Sequence, residues 1–231
     1  MVKGLFIPLQ IDQPLFMTDN SKYNTVGQFD SKRRLLRQQT QAHHQRLNQH
    51  ALLKGLLSRD FSLAQYQQIL WAYAELYQII EEQIELYLAQ HPTAFDYTQR
   101  RKSHWLTEDL AYFSETYPGV KQNGKFGCSF PYINSVGQLF GILYVIEGST
   151  LGGQQIAKAL VSYHQLTPER GARFFYGYGN QSSLLWETFL HDLETALQEE
   201  YEYVRAAKAA QQTFEAFLAV LDQSVSRSVV E

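Results

Sequence analysis

Apolar residues recur every three or four positions along most of the chain after residue 30, the repeat that gathers side chains on one face of a helix. The clearest run covers residues 62–90, where Ile69, Tyr73, Leu76, Ile80, Ile84 and Tyr87 make one stripe. Ser62 and Gln65 form a capping box ahead of it, and Pro92 stops it. The same repeat predicts a first helix over 31–57, with Asp30 or Ser31 as N-cap, and a third over 97–117 before Pro118-Gly119. A polar, glycine-rich loop is expected at 119–134 and an apolar helix at 137–162. A break at 167–180 holds Pro168, Gly171, Gly177 and Gly179, and helical pattern returns over 182–207 and 209–221, the two possibly one helix. Nothing alternates as a strand does. The expectation is an all-α fold, a single helical domain over 31–221. An extended arm would precede it at 1–30, with Pro8 and Pro14 among apolar residues, and a polar tail would follow at 222–231.

The helix over 137–162 carries Gly137, Gly141, Gly148, Gly152 and Gly153. Each glycine inside a helix costs about 1 kcal/mol relative to alanine, because the unfolded backbone has more freedom to lose. Such a load implies that bare backbone must lie close to something flat or bulky, with a bend at Gly148 to Gly153.

Composition narrows the classes. Hydrophobic residues make up 45% of 231 positions, ample for a large core. The formal net charge of −3 argues against nucleic acid as a partner, which needs a basic face. A local basic run, Lys32-Arg33-Arg34 with Arg37, stands out against it. The single Cys128 excludes an internal disulfide, multi-cysteine zinc sites and the Cys-x-x-Cys-His heme attachment, and fits a cytoplasmic setting. No apolar stretch suggests a membrane span or a signal segment.

Seven histidines offer the most versatile chemistry. None follows a glutamate by three residues, and no His-Glu-x-x-His, Gly-x-Ser-x-Gly or phosphate-loop ending occurs. His43 and His44 both flank the apolar stripe of the first helix, and helical phase does not choose between them. A neutral imidazole on one helix facing bare backbone on another suits a flat macrocycle with an axial metal site. Heme has that shape, and Arg37 could pair with its propionates.

At this point the chain resembles the bacterial, biliverdin-producing heme oxygenases, including those associated with bacteriophytochromes. Leu36-Arg37-x-x-Thr40-x-x-x-His44-x-x-Leu47 is similar to the family's proximal helix and selects His44 over His43 as iron ligand. Tyr144-Val145-Ile146-Glu147-Gly148-Ser149-Thr150-Leu151-Gly152-Gly153 resembles its distal helix. Arg173-Phe174-Phe175-x-Gly177-Tyr178-Gly179, with Trp186 and Phe189, resembles the segment after it, and 102–110 is a weaker match.

The resemblance implies a heme-oxygenase-like helical bundle in which heme is both substrate and cofactor. Heme is opened with O2 to biliverdin, carbon monoxide and ferrous iron. His44 would hold the iron, with Arg37, Thr40, Gly148, Gly152 and Gly153 lining the site and Gly148, Ser149 and Gly152 on the reacting face. Electrons would come from a ferredoxin or an NAD(P)H-dependent reductase, for which the basic run is a candidate steering patch. A heme carrier or sensor of the same fold, without turnover, is the alternative. Two departures from the mammalian-type pattern matter. Ser149 stands where that type has an aspartate, and Glu187 and His191 stand near where it has propionate-binding basic residues.

Overall fold

The computed structural model describes residues 31–93, 95–117, 127 and 130–228. The arm expected at 1–30, most of the loop at 119–134 and the last three residues lie outside the described residues. Within them the helices are α1 (Lys32–Gln49), α2 (Ala51–Gly55), α3 (Leu63–Gln90), α4 (Ser103–Thr116), α5 (Val136–His164), α6 (Arg173–Tyr176), α7 (Ser182–Ala196) and α8 (Glu200–Ser228). No strand occurs among the described residues, and the fold is one all-α domain with bent helices.

Locally encoded features appear as the sequence predicts. Ser62 and Gln65 make both halves of the capping box. Ile69, Leu76, Ile80 and Ile84 are fully buried, each contributing about 1.5–3 kcal/mol. Ser31, not Asp30, caps α1 by accepting from the Arg34 amide.

Three helices differ from expectation. The helix expected over 31–57 breaks at His50, whose backbone is extended; its Nδ1 accepts from the Leu52 amide while its Nε2 lies 3.2 Å from Asp222. The segment 97–117 is a 3-10 turn at Thr98–Arg100 followed by α4. In the C-terminal stretch the break comes after Ala196, and α8 then runs past 221, through most of the stretch expected as a tail. It continues because Leu221 and Ser224 keep its buried stripe going.

α8 is the axis on which the site is built. α5 lies against it so closely that a methyl added at Gly137 or Gly141 would collide with the backbone of Glu202 or Ala206. The Gly137 amide also donates to Glu202 Oε2, at 2.6 Å. Both contacts share an offset of 65 residues, so α5 and α8 run in the same direction and in register. α1 runs the same way along another face of α8: Lys32 pairs with Glu200, Gln211 donates to the Gln39 carbonyl, and Arg46 pairs with Glu215 at 2.6 Å.

Candidate active site

α1 half-buries His44 against α8. Its ring stands edge-on to Phe214 of α8, 5.9 Å between centroids, and the Asn48 side chain lies 3.4 Å from the imidazole nitrogens. Burial, with a smaller push from Arg37, lowers its pKa below the ordinary histidine value, so the ring is neutral near pH 7. A neutral ring keeps a nitrogen lone pair for a metal. His43 differs: its Nε2 lies 3.5 Å from Glu215, and its buried Nδ1 has no hydrogen-bond partner.

One turn before His44, buried Thr40 donates to the Leu36 carbonyl at 2.7 Å and is hydrogen-bonded to Tyr144 of α5. Arg33 and Arg37 both act electrostatically on Tyr144, which places their charges on the same side. Arg37 is exposed, and Lys32 of the basic run is paired with Glu200.

On α5 the five glycines divide. Gly137 and Gly141 serve the α8 contact, and Gly153 serves α6, since a methyl there would press on the Phe175 carbonyl at 2.8 Å. Gly153 is buried against α6. A methyl on Gly148 would sit in ordinary contact on the Trp186 ring, at 3.5 Å. Among the described residues a methyl on Gly152 would meet nothing within 4 Å outside its own helix backbone. Ser149, between them, is exposed. Its Oγ donates to the Ile146 carbonyl at 2.9 Å and accepts a long contact of 3.5 Å from the hydroxyl of buried Tyr77. Burial raises the Tyr77 pKa, so it remains a proton donor.

These two faces stand at one height. From the Thr40–Tyr144 contact, one turn along α1 reaches His44 and one turn along α5 reaches Gly148. The register of α5 on α8 sets Gly148 level with Thr213, beside the Phe214 that His44 touches. Tyr73, Tyr77, Phe174 and Phe217 pack edge to face with centroids 5.1–5.8 Å apart and bound the same region. The open side of α5 at Ser149 and Gly152 and the neutral imidazole level with it supply the chemistry that a flat macrocycle carrying its own metal would need. Among the described residues no group of three or more acidic, cysteine or histidine side chains could hold a bare ion.

Sequence reasoning missed the groups behind α5. Glu147, 1% exposed, accepts from Arg100 Nη1 at 2.7 Å, from Lys102 Nζ at 2.5 Å and from the Tyr178 hydroxyl at 3.2 Å. Glu81 completes the charge balance, accepting from the amides of Lys102 and Ser103 and from the Tyr97 hydroxyl. Asp109 was also missed. It accepts from the amides of Arg173 and Phe174 at 2.7 and 2.9 Å, which caps α6, and burial pushes its carboxyl up to about 7. The only signal in sequence was that 102–110 and 173–179 were both part of the resemblance. Glu187 and His191 lie exposed on α7, and the helix along α1 is α8 instead.

The heme oxygenase family model matches residues 31–223, and the chain belongs to that family. No curated protein matches it. Among solved structures it is similar to the heme oxygenase of Leptospira interrogans, at TM-score 0.66 and 18% identity over 84% of this chain and 100% of that one. The Neisseria meningitidis heme oxygenase, studied with NO and CO bound, gives 0.67 and 18% over 85% and 92%. Heme oxygenase-1 of the cyanobacterium Synechocystis sp. PCC6803, in complex with heme, gives 0.63 and 15% over 84% and 92%. At these identities the likeness establishes the fold.

Among the described residues no helix is long and apolar enough to cross a membrane.

Proposed function

We propose that the protein binds heme between His44 and the open face of α5, and opens it to biliverdin, carbon monoxide and ferrous iron. One observation carries the proposal: within this family's fold, a neutral imidazole and an open stretch of α5 stand at one height, with open space at Gly152. Heme bound there would supply the iron that activates dioxygen and would itself be the substrate opened.

The chain's own residues position and protect. His44 offers the axial nitrogen, and burial keeps it unprotonated. Arg37, with Arg33 behind it, brings positive charge to the edge where propionates would emerge. Tyr144, aimed by Thr40, adds a hydroxyl there. Gly152 lets the α5 backbone approach a plate without an intervening side chain, and Gly148, packed on the Trp186 ring, would let that ring back the same stretch. Ser149 and Tyr77 place two hydroxyls on the far face, joined by a 3.5 Å contact, where they could hydrogen-bond a ligand on the iron. The aromatic wall of Tyr73, Tyr77, Phe174 and Phe217 keeps the inner edge dry.

Electrons come from an external ferredoxin or reductase, docking on the side of the basic run of α1. The resemblance of the distal motif, Tyr144 to Gly153, extends to bacterial members associated with bacteriophytochromes, and the product would serve either a photoreceptor or iron supply in the cytoplasm.

Hemin-loaded protein, given ferredoxin, its reductase and NADPH in air, tests the activity. The Soret band should fall while biliverdin absorbance rises. A Soret band that persists through reduction and reoxidation would identify a carrier or sensor instead.

A further inference from the structure

The buried charges behind α5 lie outside any role argued so far. Arg100 and Lys102, from the turn before α4, meet Glu147 of α5, and the Tyr178 hydroxyl touches both Glu147 oxygens. Arg100 also donates to the Leu185 carbonyl of α7, and Lys102 to the Arg100 carbonyl at 2.8 Å. Trp186, the residue after Leu185, is the ring on which Gly148 rests. One cluster therefore fixes both α5 at Glu147 and the α7 ring that backs Gly148.

Direction on the helix gives the cluster its meaning. At about 100° per residue, Ser149 points roughly 160° away from Glu147. The charges grip the back of the helix whose front is the bare face. Ion pairs this deep add little net stability over apolar packing, because desolvation offsets their attraction. What they do supply is a unique register, since an apolar contact can slide by a fraction of a turn and a carboxylate held by two cations and a phenol cannot.

We propose that Arg100, Lys102 and Tyr178 are positioning residues acting through Glu147. They set the height and roll of the 148–152 backbone over the substrate, and so select which edge of the macrocycle is attacked. None of them touches the substrate face. The inference rests on the heme oxygenase reading given above.

The test uses full-length protein carrying Lys102→Met or Tyr178→Phe, each leaving Glu147 paired with Arg100, and Leu56→Ala as a destabilised control whose fully buried side chain lies near α2. Three readouts are taken: apo-protein melting, hemin titration by the Soret band, and proton NMR of the cyanide-ligated ferric complex, whose heme-methyl shifts report seating. Chromatography of the biliverdin isomers follows. Both cluster variants should bind hemin within about threefold of wild type, with altered methyl shifts and an altered isomer ratio. Leu56→Ala should melt lower with methyl shifts and isomer ratio unchanged. Unaltered shifts and isomer ratio in both cluster variants would overturn the inference, as would the same alteration in Leu56→Ala. If wild-type protein itself fails to shift the hemin spectrum, it is the heme reading that falls.

Discussion

His44 is the residue on which the proposed site turns, and its neutrality is a consequence of the half-buried place α1 gives it. Protonation destroys the lone pair a metal needs, and burial lowers the pH at which this happens. The hemin complex should therefore keep its histidine-ligated spectrum as pH falls through about 6.5, the ordinary histidine value, and lose it only further down. A midpoint at or above that value in a pH titration of the Soret band would contradict the placement. His44→Ala should abolish the histidine-ligated spectrum and His43→Ala, whose ring is turned to Glu215, should keep it. The opposite pair of spectra would reverse the assignment.

Gly152 makes a second test at this scale, because folding and binding pull in opposite directions. A methyl there meets nothing among the described residues, and alanine is the better helix former by about 1 kcal/mol. Gly152→Ala should melt at or above the wild-type temperature. Hemin affinity should fall about ten- to a hundredfold, the equivalent of roughly 1–3 kcal/mol of overpacking against a plate. Wild-type affinity in a hemin titration would show that this face is not used.

Among elements, α5 performs two tasks with one kind of residue. Its early glycines buy backbone contact with α8, and its later ones leave a face open. Gly141→Ala should consequently act on stability alone, lowering the denaturation free energy by about 1–3 kcal/mol, since the methyl meets the Ala206 backbone and neither helix can yield. Chemical denaturation measures it; an unchanged midpoint would mean the helices are not in that contact.

The same division explains what could be read in advance. The capping box at Ser62 and the stripe of α3 are local, and both were legible. The glycine load of α5 was legible as a load, yet its partition was not, because the deciding partners are carbonyls of α8 some 65 residues away. His50 breaks the first helix through Asp222, far along the chain. The Glu147 cluster draws on Arg100, Lys102 and Tyr178 from separate segments, each an ordinary polar residue when viewed alone.

At the level of the whole molecule, α8 aligns two helices that touch each other mainly through Thr40 and Tyr144. It holds His44 against Phe214 on one side and receives Gly137 and Gly141 on the other. The gap that remains at Ser149 and Gly152 is a product of this parallel arrangement. The chain belongs to the heme oxygenase family, and the residues that surround the gap are its own, including Ser149 and Tyr77 on the face proposed to react.

A crystal structure of the ferric hemin complex examines the arrangement most directly. The iron should be bonded to a ring nitrogen of His44, with the macrocycle lying beneath residues 148–152 and its propionates turned toward Arg37 and Tyr144. Hemin ligated by another side chain, or lodged away from α5 with side chains filling the space at Gly152, would contradict the account.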